Sequence, residues 1–304
     1  MLFEPLPGRK TMQRTIFALI AVCIALPALA QAPARPAIQT TRIEGADGVY
    51  LFRNVNHQSI FIVTSDGVIA TDPIAYGKPT GGADYVAEIR KVTDKPIKYL
   101  IYSHHHYDHI AGGKAFKDAG ATIVAHKRAA ERLAVLKDPV TPLPDEVVGD
   151  GGRVIRMGGK IVELSYVGLN HSDSTLVVRL PQDQLIFLVD LVPVGAFPGL
   201  GMIDFFPLEA MDSYKRILAL DWNRMVPGHP GVPGDRLGTK KDVEDHMALQ
   251  QHVSDMVKEQ ARNGRCWQPA ENDLHFDKYK DMPGYANGRA MVVRRYCGLW
   301  GRGT

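Results

Sequence analysis

Ser103-His104-His105-His106-Tyr107-Asp108-His109 decides how this chain is read. It follows Ile97 to Tyr102, a short apolar run that reads as a buried strand. In extended backbone alternate side chains share a face, so His104 and His106 point one way and His105 another. Asp108 and His109 come where the chain turns toward a helix. Four metal-type donors within six residues suit two adjacent cations, because so short a segment cannot bring all four to one ion.

Three more candidate ligands follow downstream. Leu169-Asn170-His171, Phe187-Leu188-Val189-Asp190 and Val226-Pro227-Gly228-His229 each place one donor at the end of a strand-like run. A rigid strand end can hold such a side chain in position. The surrounding pattern predicts strands over 48–52, 59–64, 68–72, 97–102, 121–125, 160–167, 174–180, 184–189 and 224–226, with a hairpin turn at Asp66-Gly67. Helices are expected over 83–92, 114–118, 127–136, 208–220 and 240–262, and a Pro/Asp-rich loop over 138–152. Strands and helices mixed in this order predict an α/β domain of two sheets packed face to face with helices outside.

The ligand set resembles that of the metallo-β-lactamase superfamily over roughly residues 43–235. The His-x-His-x-Asp-His motif of that family reads here His104, His106, Asp108 and His109, and its later ligands match His171, Asp190 and His229 in order. The resemblance implies an αβ/βα four-layer sandwich with two metal ions at one edge. It gives His104, His106 and His171 to one ion, Asp108, His109 and His229 to the other, and Asp190 to both. Imidazole and carboxylate donors suit Zn²⁺, and manganese or iron with the same ligands. A water held between two such ions ionises near neutrality and can attack a carbonyl, with Asp108 accepting a proton. The implied enzyme is therefore a binuclear zinc hydrolase of a small cyclic or activated ester or amide, such as a lactone or β-lactam.

Asp190 departs from the true β-lactamases, one group of which has Cys there. It resembles instead glyoxalase II-type thioesterases, lactonases and hydrolase-like proteins associated with periplasmic quinoprotein dehydrogenases. A thioesterase and a non-catalytic metal-binding accessory protein are thus the alternatives. Asp72 resembles the buried carboxylate that supports the metal loop, and Asp173 is expected to support the loop after His171. Tyr107 is a candidate for facing the substrate. His105 reads as structural, and His57 as a surface residue near the cleft.

Outside the ligands, composition narrows the partners. Among 304 residues, Lys+Arg 36 against Asp+Glu 33 gives +3, too little for a basic nucleic-acid-binding surface. Residues 1–30 read as a signal peptide: Arg9, Lys10 and Arg14 precede an apolar run from Ile16 to Ala30 that closes Ala28-Leu29-Ala30. A membrane span needs about 20 apolar residues, so no stable membrane insertion is expected after cleavage. Removing Arg9, Lys10, Arg14 and Glu4 leaves 33 basic against 32 acidic residues, +1. The expected location is periplasmic or secreted. Of the 3 Cys, Cys266 and Cys297 then remain, and an oxidising compartment favours their pairing.

Residues 31–42 are Ala/Pro/Gln-rich and read as a flexible terminus. Residues 43–304 read as one domain with a C-terminal helical extension from about 236. The loop after Asp190 carries Phe197, Phe205 and Phe206 among glycines and prolines and holds no Lys or Arg. It is expected either to wall a pocket for a small apolar substrate or to make a homodimer contact.

Overall fold

The computed structural model describes residues 37–199 and 202–302, which belong to one compact unit. The leader and the first residues of the predicted flexible terminus lie outside the described residues. A seven-stranded sheet runs in the order β1 (Ile38–Arg42), β2 (Val49–Asn54), β3 (His57–Val63), β4 (Val68–Thr71), β5 (Ile97–Ile101), β6 (Thr122–His126), β7 (Glu146–Val148). Pairing is antiparallel from β1 to β4 and parallel from β4 to β7. The second sheet is ordered β12 (Arg224–Pro227), β11 (Leu185–Leu188), β10 (Leu176–Leu180), β9 (Lys160–Tyr166), β8 (Arg153–Met157).

Three apolar clusters show why the sheets stack as they do. Strand alternation sends Ile60 and Ile62 of β3 between the sheets, where they join Ile101, Val178 and Phe187. It sends Phe61 to the other face, against Tyr85 and Ile89 of α1 (Gly81–Val92), Phe116 of α3 (Gly113–Asp118) and Leu133 of α4 (Lys127–Leu136). On the second sheet Ile186 and Leu188 face Tyr214 of α5 (Pro207–Ala219) and Val253 of α6 (Lys240–Arg262). Burying each such side chain stabilises by about 1.5–3 kcal/mol. The result is the expected αβ/βα four-layer sandwich.

Three sequence expectations change. Residues 38–42, expected as part of a flexible terminus, form β1, because backbone pairing with β2 orders a segment that has a single large apolar residue. The loop expected over 138–152 contains β7, which adds one parallel step at the sheet edge. Residues 153–157, where no strand is expected, form β8 beside β9. The segment after 236 is helical and belongs to the same unit. Helices α6 and α8 (Tyr285–Arg302) cover the outer face of the second sheet, and a Cys266–Cys297 disulfide joins α8 to the turn beyond α6, with α7 (Gln268–Asp273) following. No described helix is long and apolar enough to cross a membrane.

Candidate metal centre

Beyond β5 the chain bends through Ser103, His104 and His105 and turns at His106 into α2 (Tyr107–Ile110). The His104 and His106 rings meet with centroids 4.4 Å apart, while His105 points to Ser174, its Nδ1 2.8 Å from Oγ, and joins His106 and Asp204 in a third group of candidate donors. The motif is held from below. Buried Asp72 accepts the backbone N–H of Ser103 at 2.7 Å, and its other oxygen lies 4.0 Å from His109 Nδ1. Ile74, at φ +46, donates its N–H to the His109 carbonyl. The strained Ile74 backbone is thus spent on fixing the metal loop.

The seven predicted ligands converge on two groups. His104, His106, His171 and Asp190 bring one donor atom each within 4.8 Å of one another, as do Asp108, His109 and His229 with His57. Asp190 stands between the groups. Its Oδ2 is 2.9 Å from His109 Nε2, 3.6 Å from His171 Nε2 and 3.9 Å from His104 Nε2, and its Oδ1 is 3.2 Å from His229 Nε2. The turn that presents it is tight: Leu191 donates to the Val189 carbonyl, and Asp190 sits at φ +59. Asp tolerates that region better than most residues, and such strain concentrates where a side chain must be aimed. Gly228 lets the end of β12 approach. A Cβ there would lie 2.6 Å from Val189 Cγ1 and 3.0 Å from both Asp190 Oδ1 and His109 Cε1.

The donors fit cations. His104 Nε2 is buried without a hydrogen-bond partner and faces the first group, while His104 Nδ1 lies 2.9 Å from Ser103 Oγ. His229 Nδ1 donates to the Asn56 carbonyl at 2.7 Å, which leaves Nε2 with its lone pair toward Asp190. Fixing one ring nitrogen so that the other can bind metal is the usual outer-sphere arrangement. His106 Nδ1 and His171 Nε2 face each other at 3.0 Å, and Asp204 Oδ2 lies 3.0 Å from the outer nitrogen of His106.

Electrostatics inside the group are strongly coupled. Burial favours a neutral acid at Asp190, but His109 and His229 outweigh it and hold the carboxyl well below its usual range. Burial lowers His171 to about 4. Burial also opposes charge on His109, yet Asp190, Asp108 and Asp72 prevail and raise it to about 9. Zinc and a proton therefore compete for His109. At pH 7 zinc binding should release protons held by His109 and His229, both raised by Asp190, so affinity should climb with pH toward the raised His109 value. Calorimetry in two buffers of unlike ionisation enthalpy measures this, and a proton count of zero would overturn the raised His109 value.

A cavity of about 450 Å³ opens over the two groups, lined by Asp108, His171, Asp190 and His229 below and by Tyr76, Val192, Pro193, Pro198 and Met202 above. The loop after Asp190 does cover the centre, but its aromatic rings do not line this cavity. Phe197 is buried against Phe276 and Tyr285, with ring centroids 6.2 and 4.9 Å away. Phe205 is buried in the same helical layer and its carbonyl accepts from Arg295. Phe206 caps the start of α5. The large apolar layer formed by α6 and α8 takes up the rings and leaves Met202 and prolines toward the cavity. Tyr107 packs against the α1/α3 layer and is likewise outside the lining. Asp173 does tie its loop down, through two bonds from Arg132 of α4 at 3.0 and 2.6 Å.

Asp204 escapes a sequence reading, and His57, expected as a surface residue near the cleft, is instead largely buried in it. His57 lines the cavity with Nε2 3.4 Å from Asp108 Oδ2, because Gln58 of β3 accepts no slack: its N–H donates to the Gly228 carbonyl and its Nε2 to that of Pro227. The only hint in sequence is a His opening a strand. Asp204 is a lone acid in a loop and carries no signal at all.

Comparison with known proteins agrees with this geometry. The family model of the Metallo-beta-lactamase superfamily matches residues 56–229. The alpha subunit of 2,4-dinitroanisole O-demethylase from Nocardioides sp. (strain JS1661) is 28% identical over 206 residues, which are 67% of this chain and 58% of that subunit. The chain thus spans less than two thirds of that relative. Metallo-beta-lactamase type 2 of Bacillus cereus is 29% identical over 194 residues, 62% of this chain and 72% of that protein. The solved metallo-beta-lactamase from Pontibacter korlensis superposes with a TM-score of 0.61 at 21% identity, over 70% of this chain and 99% of that one, a likeness of fold. With the motif, the four layers and the family match in agreement, this chain belongs to the metallo-β-lactamase superfamily.

Proposed function

We propose that the protein is a binuclear zinc hydrolase acting on a small, apolar, cyclic or activated ester or amide. The observation that carries this reading is the Asp190 carboxylate, whose two oxygens face His109, His171 and His104 on one side and His229 on the other. His104, His106 and His171 would hold one ion, Asp108, His109 and His229 the second, with Asp190 shared. When bound, zinc supplies Lewis acidity and lowers the pKa of water to near neutrality.

The chain's own residues do the rest. Asp108 reaches the cavity with 38% of its side chain exposed, and can accept a proton there while His57 at 3.4 Å fixes its orientation. Val192, Pro193, Pro198 and Met202 exclude water from the apolar side of a substrate. No Lys or Arg lines the cavity among the described residues, so a phosphate-rich substrate finds no partner. Export with cleavage after Ala30 belongs to the same proposal and rests on the leader sequence.

The deciding experiment takes native protein, whose mass should begin at Gln31, and measures its metal content and activity. The panel is a lactone, a β-lactam, an aryl ester, a thioester and, because one relative is named a dinitroanisole O-demethylase, a nitroaryl methyl ether. Two zinc ions per chain and chelator-sensitive turnover of a lactone or aryl ester are expected. Full metal occupancy without turnover of any member would leave the accessory-protein reading in its place.

A further inference from the structure

We infer that Asp204, supplied by the loop that walls the cavity, is a positioning residue for the metal ligand His106 and so couples metal affinity to the placement of that loop. The inference rests on the metal-centre reading above. His106 uses both ring nitrogens. Its Nδ1 faces His171 Nε2 at 3.0 Å, inside the ligand group, and its Nε2 lies 3.0 Å from Asp204 Oδ2. An ionised carboxylate only accepts. His106 Nε2 therefore carries the proton and donates it, and the Nδ1 lone pair is turned inward.

The same Asp204 oxygen is 3.5 Å from His105 Nε2, which explains the one histidine of the motif that turns away from the ligand groups. His105 is itself fixed, with Nδ1 2.8 Å from Ser174 Oγ and 3.8 Å from the Asp173 carboxylate that Arg132 grips. A line of contacts thus runs from α4 through Arg132, Asp173, His105 and Asp204 to His106. The loop side is anchored as well. Met202, two residues before Asp204, lines the cavity. Arg295 of α8 donates to the Phe205 carbonyl at 2.6 Å, and the Phe206 N–H donates to the carbonyl of Asn170, the neighbour of His171. These contacts fix the segment from Met202 to Phe206 that carries Asp204.

The test compares wild type, Asp204→Asn and Asp204→Ala by competition for zinc against a chromogenic chelator, by the visible spectrum of the cobalt-loaded proteins, and by melting of the metal-free proteins. Asp204→Ala should bind zinc roughly 10–100-fold more weakly, with a shifted cobalt spectrum, and isosteric Asp204→Asn should lose less. A merely structural role would lower metal-free melting and leave zinc affinity and the cobalt spectrum unchanged. Zinc affinity within about twofold of wild type in Asp204→Ala overturns the inference, and if that variant does not fold, the same threshold applies to Asp204→Asn. A wild type that binds no zinc overturns the metal-centre reading itself. Normal wild-type binding with unaltered variants overturns this inference alone.

Discussion

Asp190→Ala is expected to retain the fold, lose the second zinc ion and lower kcat/KM by about 10³-fold or more, ~4 kcal/mol of transition-state stabilisation. The carboxylate lies between His104, His109, His171 and His229, and its removal leaves His109 with Asp108 and Asp72 but takes away the carboxylate that stands between the two groups. Two dications brought together there would repel each other. The neighbouring acids cannot substitute: Asp108 sits with the second group, and Asp204 lies on the outer side of His106. The cost to the fold is small by comparison. Alanine at φ +59 is strained by about 1–2 kcal/mol, and Asp190→Asn, which suits that backbone, serves as the control. Both variants should hold fewer than two zinc ions by elemental analysis while unfolding cooperatively. Two ions and a wild-type rate in Asp190→Ala would refute the shared-ligand assignment.

Loss of the Cys266–Cys297 bridge should destabilise the protein by about 3–4 kcal/mol, judged from the chain entropy released when a loop of this length is opened. The bond spans 31 residues with Cα atoms 5.4 Å apart. It fastens the turn after α6 to buried Cys297 of α8, and Trp300 of α8 donates to Ser254 of α6 close by. Because α8 also carries Arg295, which holds the carbonyl of Phe205, loosening this helix reaches the loop over the cavity. Urea unfolding of the double variant Cys266→Ala/Cys297→Ala against wild type measures the difference. An unchanged midpoint would mean that apolar packing of α6 on α8 holds the layer by itself.

What was legible in the sequence follows from how densely each feature is written there. Strands buried on both faces, such as Ile60-Phe61-Ile62 and Leu185 to Leu188, are continuous apolar runs and were read correctly. The edge strands β1, β7 and β8 were not. Val147 and Val154 are 58% and 49% exposed, and β7 and β8 each bury one residue, Val148 and Ile155, too few to leave a hydrophobic pattern, so pairing with a neighbour does most of the ordering.

The metal ligands were legible because their geometry is local. The motif packs four donors into six residues just past β5, and Asp190 and His229 follow β11 and β12 by two residues each, whereas His171 lies in the turn between β9 and β10. By itself, then, the sequence determined the family and the four layers, and it named the seven candidate donors that the fold brings into two neighbouring groups. Only the tertiary structure decided which side chains surround them. Phe197 and Phe205 turned from the cavity because α6 and α8 offered a larger apolar surface, a competition between two hydrophobic environments that no local pattern records. His57 and Asp204 reached the centre because β3 runs beside the end of β12, and because the loop before α5 folds back over the metal motif. Such approaches are set by how distant segments pack, and the spacing of residues along the chain carries no trace of them.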